Sequence, residues 1–425
     1  MNTNTQNLPE SWGLVRIKDL AELINGLWTG KKGPYIDVQV YSMTNFTKDC
    51  ELDYDKQPRP IKANLKQYKS RTLKYGDILL EKSGGGPNQP VGRVVYFDIK
   101  NNQENTFSNF VARIRIRDKE IITGRFLHLY LKFLYLSGET EKYQKNSTNI
   151  RNLQTKEYVE IQIPLPPLPT QRAIVARLDA AFARIDRART NLERNVANAK
   201  ELFQAKLNEV FSRRGDGCEE KRLIDVSKFI DYRGKTPTKT ESGIPLITAK
   251  NVRMGYLKKS PQEFISEGDY DSWMTRGIPQ MGDVLFTTEA PLANVALLNT
   301  DDKIALAQRI ITICPKRKIL DGEYLVYCLQ AKLIQDRILA KGTGATVTGI
   351  KSKLLKEIQI PLFSLEEQRR IVVELSAFRL RVDLLRSRYS TRLQDVAELK
   401  QSLLQKAFRG ELITEADPET VADHA

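Results

Sequence analysis

The chain has 425 residues, and its 67 lysines and arginines against 52 aspartates and glutamates give a formal net charge of +15. At about 100 to 200 residues per domain, this length predicts two to four packing units and excludes a single small module. The longest mainly apolar stretch, 126–136, is interrupted by Lys132, which argues against a membrane-spanning helix. The polar N-terminus, 1–10, lacks the apolar core of a secretory signal, so we expect a cytoplasmic protein with no membrane partner.

Histidine and cysteine usage argues against metal and redox chemistry. The two histidines, His128 and His424, are far apart in the chain, and the cysteines form no CxxC pair. We therefore predict no metal site and expect the cysteines to be small buried residues in a reducing compartment. The basic charge favours a polyanionic partner, and nucleic acid is a better candidate than an acidic membrane surface.

An internal repeat determines the predicted architecture. Residues 160–178 and 357–375 are identical at 12 of 19 positions, at a displacement of 197 residues. The register continues downstream, where Phe211 corresponds to Phe408, and upstream the match is weaker and needs gaps. Each half therefore has a variable front section of roughly 150 residues and a well-preserved rear section of roughly 45.

The rear sections are predicted to be two long helices. After Pro169 the chain has no proline or glycine until Gly215, and apolar residues recur at steps of three and four, a heptad pattern that the second copy repeats. About forty residues at 1.5 Å each predict helices about 60 Å long. Because each apolar stripe needs a partner and the connectivity reverses the second helix, we predict an antiparallel coiled coil.

The front sections are predicted to be mixed α/β. Alternating or continuous apolar runs indicate strands at 77–81, 91–97 and 110–116, and at 283–287, 294–298 and 309–313, with helices at 125–136 and 323–339. The predicted fold is two α/β domains related by a pseudo-two-fold and separated by two long antiparallel helices. We predict these boundaries: domain one, 1–158; first junction and helix, 159–215; domain two, 216–355; second junction and helix, 356–410; and an acidic tail, 411–425.

The glycine run that follows Ser83 does not form a phosphate-binding loop. A Walker loop ends in Gly-Lys-Ser/Thr and opens a helix, whereas here the run leads into a strand through Gln89 and Arg93. Two interpretations remain open. The run is either a flexible turn between strands or a loop whose bare backbone approaches a DNA groove.

Basic and polar residues beside glycine, proline or threonine form the predicted DNA-contacting set. Such residues supply phosphate contacts, and the few that reach base edges supply sequence choice. The set is Lys31, Lys32, Arg71, Ser83, Gly85, Asn88, Gln89 and Arg93 in the first copy, and Arg233, Lys235, Lys250, Arg253, Thr287, Thr288, Glu289, Asn294, Lys341 and Thr343 in the second.

Catalytic motifs are missing from the sequence. It has no Asn-Pro-Pro-Tyr or Asp-Pro-Pro-Tyr motif of adenine methyltransferases, no glycine fingerprint for their cofactor and no convincing nuclease cluster. We therefore interpret the chain as a binding protein with no catalytic residues.

The duplicated junction resembles that of the DNA-specificity subunits of type I restriction-modification systems. The resemblance rests on 161–165 followed by 171–175, on 358–362 followed by 367–372, and on the terminal segment 399–412. It implies a non-catalytic subunit whose two target-recognition domains each read one half of a bipartite, asymmetric site on double-stranded DNA. It also implies that the helices set the spacer.

The resemblance further implies partners and cofactors. Two modification subunits would dock on the helices, hold S-adenosylmethionine and methylate adenine, and two restriction subunits would use ATP and Mg²⁺, so this chain would bind no cofactor itself. The implied docking residues are Gln171, Arg172, Ile174, Gln368, Arg369 and Ile371.

Two alternative functions and one question about the tail remain open from the sequence. The chain could instead be a scaffold that holds nucleic acid without sequence choice, or a self-contained methyltransferase or nuclease. The acidic tail is either disordered or folded back on the segment 8–12.

Overall fold

The computed structural model describes residues 8–27, 33–86, 89–147, 150–212, 217–234, 236–344 and 348–413. These residues form two compact units. Unit 1 comprises Met1–Asn191 and Arg392–Ala425, and unit 2 comprises Leu192–Thr391.

The first half of the chain builds a mixed set of short strands and helices that ends in a 45-residue helix. The elements are β1 (Gly13–Arg16), α1 (Ile17–Leu20), β2 (Ala21–Asn25), β3 (Tyr35–Tyr41), β4 (Arg59–Asn64), α2 (Leu65–Ser70), β5 (Ile78–Glu81), β6 (Ser83–Gly85), β7 (Val94–Tyr96), β8 (Asn105–Phe107), β9 (Val111–Ile116), α3 (Gly124–Leu136), β10 (Gln144–Ser147), β11 (Ile150–Leu153), α4 (Thr155–Tyr158), β12 (Gln162–Leu165) and α5 (Leu168–Ser212).

The second half repeats this plan and ends in a 44-residue helix. The elements are β13 (Glu219–Arg222), α6 (Leu223–Val226), β14 (Ser227–Asp231), β15 (Ile244–Ile247), β16 (Val252–Arg253), β17 (Tyr256–Leu257), β18 (Phe264–Ile265), α7 (Tyr270–Trp273), β19 (Val284–Thr287), β20 (Val295–Leu297), β21 (Ala305–Leu306), β22 (Ile310–Pro315), α8 (Gly322–Gln330), α9 (Lys332–Ala340), α10 (Ser352–Lys356), β23 (Gln359–Leu362) and α11 (Leu365–Phe408).

Sheet topology confirms the repeat. Unit 1 has a four-stranded antiparallel sheet in the order β2-β9-β5-β7, and unit 2 has its counterpart in the order β14-β22-β19-β20. The junction strands repeat as well, because β1 pairs with β12 in the same antiparallel register as β13 pairs with β23. The mixed α/β class predicted from the sequence is therefore confirmed, with two copies of one strand arrangement.

The ends of the long helices complete the core of each unit. In unit 1 the ring of Phe408, from the end of α11, lies 5.1 Å from that of Tyr130 and 5.5 Å from that of Phe126 on α3. In unit 2 the ring of Phe211, from the end of α5, lies 5.5 Å from that of Tyr324 on α8. The two phenylalanines occupy the same position of the sequence repeat.

The two long helices pair in opposite directions within each unit. In unit 1, Lys400 near the end of α11 lies 2.6 Å from Asp186 on α5. In unit 2, Lys206 near the end of α5 lies 2.8 Å from Glu374 near the start of α11. The predicted antiparallel pairing is confirmed, but Ala188 and Leu385 are exposed, so the predicted apolar seam is not buried along its whole length.

One predicted helix is broken. The sequence pattern predicts a single helix over 323–339, but Ala331 adopts an extended conformation (φ −64°, ψ 137°) between α8 and α9. Side chains of α5 bind backbone groups at the break: Asn208 Oδ1 accepts from the Lys332 amide at 2.8 Å, and Gln204 Nε2 donates to the Gln330 carbonyl at 3.1 Å. Tertiary hydrogen bonds at the break favour two short helices over a continuous one.

Lys132, the cation that interrupts the apolar stretch of α3, forms an ion pair inside unit 1. Lys132 is 1% exposed, and its Nζ lies 2.5 Å from a carboxylate oxygen of Glu51. Nearby, burial lowers the pKa of His128 well below its ordinary value, and the positive charges of Arg125 and Lys132 act in the same direction. His128 is therefore neutral at physiological pH.

The C-terminal segment folds back on the N-terminal one as far as the structure describes it. A Cβ at Gly410 (φ +78°) would lie 2.5 Å from Pro9, and Arg177 Nη1 donates to the Leu412 carbonyl at 2.7 Å. Trp12 packs against the same core as Leu412. The rest of the acidic tail, 414–425, lies outside the described residues.

Two glutamines in repeat-equivalent positions fasten the long helices to their domains. Gln171 Oε1 accepts from the Thr123 amide at 3.0 Å, and Gln368 Oε1 accepts from the Asp321 amide at 2.8 Å. Each Nε2 donates to two backbone carbonyls, at 2.9 Å for Gln171 and 2.8 Å for Gln368. Both side chains are 0% exposed. Each amide therefore joins the start of a long helix to the N-cap of the main domain helix.

We predict that Gln368→Ala destabilises unit 2 by about 3 kcal/mol, because three backbone partners lose their hydrogen bonds at a buried site. The effect is measured by urea unfolding, which is monitored through the hydrogen exchange of peptides from α8. Gln394→Ala, at an exposed glutamine of the same helix, is the control and should change stability by less than about 0.5 kcal/mol. Equal stability of the two variants would contradict the fastening role.

Candidate nucleic-acid interface

A repeat-equivalent strand edge is held by the same backbone hydrogen bonds in each unit. In unit 1 the Lys82 amide donates to the Phe110 carbonyl at 3.0 Å, and the Lys82 carbonyl accepts from the Leu153 amide at 2.8 Å. In unit 2 the corresponding bonds join Thr288 to Arg309 at 3.1 Å and Ile350 to Thr288 at 3.0 Å. We use the name edge site for Lys82, Ser83, Phe110 and Asn152 in unit 1, and for Thr288, Glu289, Arg309 and Gly349 in unit 2.

The edge site of unit 1 includes the glycine run. Ser83–Gly85 forms β6, which pairs with β11, so this part of the run is a strand and not a flexible turn. A Cβ at Gly85 would lie 2.4 Å from the Gln89 carbonyl oxygen and would clash with it, so only glycine fits at this position. Ser83 Oγ donates to Asn152 Oδ1 at 2.5 Å, and burial lowers the pKa of Lys82. The edge thus presents a hydroxyl, an amide and a cation.

The edge site of unit 2 opens into a polar concavity of about 350 Å³. Four of the predicted DNA-contacting residues line it, namely Arg233, Thr288, Glu289 and Thr343, together with Gly234, Gln308, Arg309, Gly349, Ile350 and Lys351. Arg309 Nε lies 2.9 Å from Glu289 Oε1. Sequence reasoning missed Arg309 and Lys351. Arg309 begins a predicted strand, and its repeat partner is the apolar Phe110.

Arg233 is held by a neighbouring carboxylate. Its guanidinium makes a bidentate contact with Asp231, with Nη2 at 2.7 Å from Oδ2 and Nε at 2.9 Å from Oδ1. Burial acts to raise the pKa of Asp231, but the contacts with Arg233 outweigh it and leave the pKa below its ordinary value. Asp231 therefore stays ionised and fixes the direction of one cation of the concavity.

Arg93 is turned inward, which does not fit the DNA-contacting role predicted for it. It is 8% exposed, and its Nε and Nη2 each lie 2.8 Å from an oxygen of Glu81, while Nη1 donates to the Phe46 carbonyl. Glu81 is 1% exposed, so this is a buried ion pair of unit 1.

Thr287 and Asn294 occupy the equivalent positions in unit 2 and also bond internally. Thr287 is 0% exposed, and its Oγ1 donates to the Pro291 carbonyl at 2.6 Å and accepts from the Asn294 amide at 3.0 Å. Asn294 Nδ2 donates to the Val252 carbonyl at 3.0 Å. Thr287 does not fit a direct DNA contact in this conformation, because its hydroxyl is buried and already bonds to the backbone of unit 2. The side-chain amino group of Asn294 is likewise bonded to the backbone.

The other predicted contact residues are dispersed. Arg71 Nε donates to the Asn25 carbonyl at 2.9 Å, and Lys341 Nζ lies 3.4 Å from the Glu357 carbonyl. Lys250 is exposed and lies 3.6 Å from Glu263. Gln89 is exposed, and Arg253 is half-buried in β16. Lys31, Lys32, Asn88 and Lys235 lie outside the described residues.

The predicted docking residues divide by exposure. Gln171 and Gln368 are internal, and Ile174 and Ile371 are 1% and 5% exposed in the two cores, so these four do not fit a partner-docking role. Arg172 and Arg369 are exposed.

The part of the chain that the structure describes lacks the features of a membrane span and of a metal site. Among the described residues, none of the helices combines the length and apolar composition needed to cross a membrane. The same residues contain no group of three or more histidine, cysteine, aspartate or glutamate side chains placed to hold a metal ion.

The fold defines a class of protein made of two copies of one α/β unit, each completed by segments of two long helices. A family model described as the type I restriction modification DNA specificity domain matches residues 9–194 and 215–394. The chain belongs to this family and is a specificity subunit of a type I restriction-modification system.

Curated relatives agree with this assignment. The chain is 25% identical to the EcoKI specificity subunit of Escherichia coli over 95% of this chain and 90% of that one. It is 24% identical to the EcoBI specificity subunit of Escherichia coli, with 63% of this chain and 62% of that one covered.

Several solved structures share the fold, among them these two. A chain from a study of complex assembly and conformational transition of the type I R-M system has a TM-score of 0.73 at 22% identity and covers 95% of this chain and 99% of its own. The HsdS subunit from Thermoanaerobacter tengcongensis has a TM-score of 0.60 at 22% identity and covers 97% of this chain and 100% of its own.

We predict that Arg93→Ala destabilises unit 1 by about 3–5 kcal/mol, because it leaves Glu81 buried without its cation. The double variant Glu81→Thr/Arg93→Asn introduces the neutral pair of unit 2 and should lose less stability than the single variant. The stability of both variants is measured by urea unfolding, which is monitored through the hydrogen exchange of β5 peptides. A stable Arg93→Ala protein that fails only in DNA binding would instead support the role predicted from the sequence.

Proposed function

We propose that this subunit makes a type I restriction-modification complex sequence-specific, with each unit reading one half of a bipartite, asymmetric site on double-stranded DNA. The observation that carries this proposal is the contrast between the edge sites. Their backbone hydrogen bonds are equivalent, yet Lys82, Ser83 and Phe110 in unit 1 stand where Thr288, Glu289 and Arg309 stand in unit 2. Two domains that recognise different base sequences can share one backbone fold but need different side chains at the DNA-facing positions.

The residues that are identical in the two copies support this division of roles. Gln171 and Gln368 are buried and bond to backbone groups, so the fold explains why both copies have glutamine at this position. The edge positions contain exposed side chains that the fold leaves free to differ, such as Phe110 at 45% exposure. Variation of exposed side chains on a fixed backbone is the pattern expected where specificity is encoded.

Affinity in this proposal comes from basic residues around the edge sites. Arg233, Arg309 and Lys351 line the concavity of unit 2, and Lys250 is exposed in the same unit. In unit 1, Lys82 lies in the edge site, and Arg71 is a further half-buried cation of the same unit. Their contacts with phosphates would position the duplex without specifying its sequence.

The chain in this proposal is non-catalytic and depends on partners. Two modification subunits dock on the long helices, where Arg172 and Arg369 offer exposed cations, and they hold S-adenosylmethionine and methylate adenine. Two restriction subunits supply ATP- and Mg²⁺-dependent cleavage. The helices set the gap between the two half-sites, because their length is fixed at about 1.5 Å per residue.

Replacing residues 1–158 by the corresponding part of a relative is expected to change one half of the methylated motif and leave the other half and the gap unchanged. Methylome sequencing of cells that carry the chain with its modification subunits measures the motif. No chain-dependent motif would instead indicate a scaffold without sequence choice. Methylation or cleavage by the purified chain alone would indicate a self-contained enzyme.

A second change tests the helices. Inserting one heptad at equivalent positions of α5 and α11 is expected to lengthen the gap while both half-motifs persist, because the added turns lengthen the helices without altering either edge site. Methylome sequencing is again the measurement. An unchanged gap with active methylation would contradict the spacer role.

Binding to DNA is expected to weaken steeply with salt, because each neutralised phosphate releases condensed counterions. Titration of a duplex that contains the motif with the assembled methyltransferase, between 50 and 200 mM salt, should lower affinity by about 10³-fold or more if at least six phosphates are contacted. An affinity that does not depend on salt would exclude the basic residues as phosphate contacts.

A further inference from the structure

The ion pair between Glu289 and Arg309 lies at the surface of unit 2. The side chains are 40% and 52% exposed, and they line the concavity of unit 2. An exposed pair of this kind contributes little to stability, because water screens it. Its charges therefore remain available for contacts outside the protein.

The backbone that holds the pair is fixed by segments from three regions of the sequence. The Thr288 amide donates to the Arg309 carbonyl at 3.1 Å, and the Ile350 amide donates to the Thr288 carbonyl at 3.0 Å. Gly349 exchanges two hydrogen bonds with Thr343, at 2.8 and 2.9 Å, and forms a bridge with Glu289. Both charged residues thus project from a rigid support, which is what precise reading of a ligand requires.

Gly349 keeps Glu289 accessible. A Cβ at this position would lie 3.2 Å from the Thr288 carbonyl oxygen and 3.4 Å from Glu289 Cβ. The repeat-equivalent residue in unit 1 is Asn152, whose side chain instead accepts a hydrogen bond from Ser83. The two edge sites therefore offer different chemistry: a carboxylate paired with a guanidinium in unit 2, and a hydroxyl, an amide and the Lys82 amine beside Phe110 in unit 1.

We propose that Glu289 and Arg309 are the specificity-determining residues of unit 2 and read a G·C base pair in its half-site. This inference rests on the proposed function and adds the base that the site selects. A guanidinium donates two hydrogen bonds to guanine O6 and N7 in the major groove, and a carboxylate accepts one from the cytosine amino group. Glu289 also orients Arg309 before DNA arrives, as their 2.9 Å contact shows.

The test introduces the unit 1 side chains at the unit 2 positions. The double variant Glu289→Ser/Arg309→Phe, expressed with the modification subunits of its own system, is compared with the wild-type chain by methylome sequencing. We expect one G·C position of one half-motif to lose its preference by about tenfold or more, while the other half-motif and the gap persist. Lys318→Ala, at an exposed cation of the same unit, is the control and should leave the motif unchanged.

Each outcome has a distinct meaning. A wild-type motif that the double variant reproduces without change would overturn the assignment of these two residues and leave the proposed function standing. General loss of methylation without a shift in preference would also overturn it, because residues that only bind phosphate or support folding have that effect. Absence of any wild-type motif would instead contradict the proposed function itself.

Discussion

The structure depends on the way the ends of the long helices complete the domain cores. Phe408 at the end of α11 packs against Phe126 and Tyr130 in unit 1, and Phe211 at the end of α5 packs against Tyr324 in unit 2. Unit 1 therefore contains segments separated by about two hundred residues of chain, and burial of these rings holds them together. Because each unit needs the end of one long helix and the start of the other, the helices must run in opposite directions.

Because of this constraint, some positions of the repeat need the same residue in both copies, whereas other positions can carry different residues. Gln171 and Gln368 hold equivalent backbone groups, and a change at either leaves buried partners without hydrogen bonds. At the edge sites the backbone is bonded to itself, so side chains such as Phe110 and Arg309 can differ without disturbing the fold. A specificity subunit needs this separation, because its recognition surface can then vary while its scaffold stays the same.

Some buried polar positions differ between the two units, and there both members of a contacting pair differ together. Glu81 and Arg93 form a buried ion pair in unit 1, and Thr287 and Asn294 satisfy the same strand positions with neutral hydrogen bonds in unit 2. Replacing one member of the ion pair alone would leave an unpaired buried charge, whereas exchange of both members keeps every group satisfied. The two units thus show two complete solutions for one backbone.

The sequence by itself determined the repeat, the two long helices, their opposite directions and the mixed α/β class, because periodicity and self-similarity lie along the chain. The family followed from the resemblance of the duplicated junction to that of known specificity subunits. Only the tertiary structure decided which polar side chains face outward. Arg93, Thr287 and Gln368 proved internal, and Arg309 proved to line a concavity. The same limit explains the break at Ala331, where Asn208 supplies the competing hydrogen bond. A polar side chain points toward partners from remote segments, and no local pattern specifies those partners.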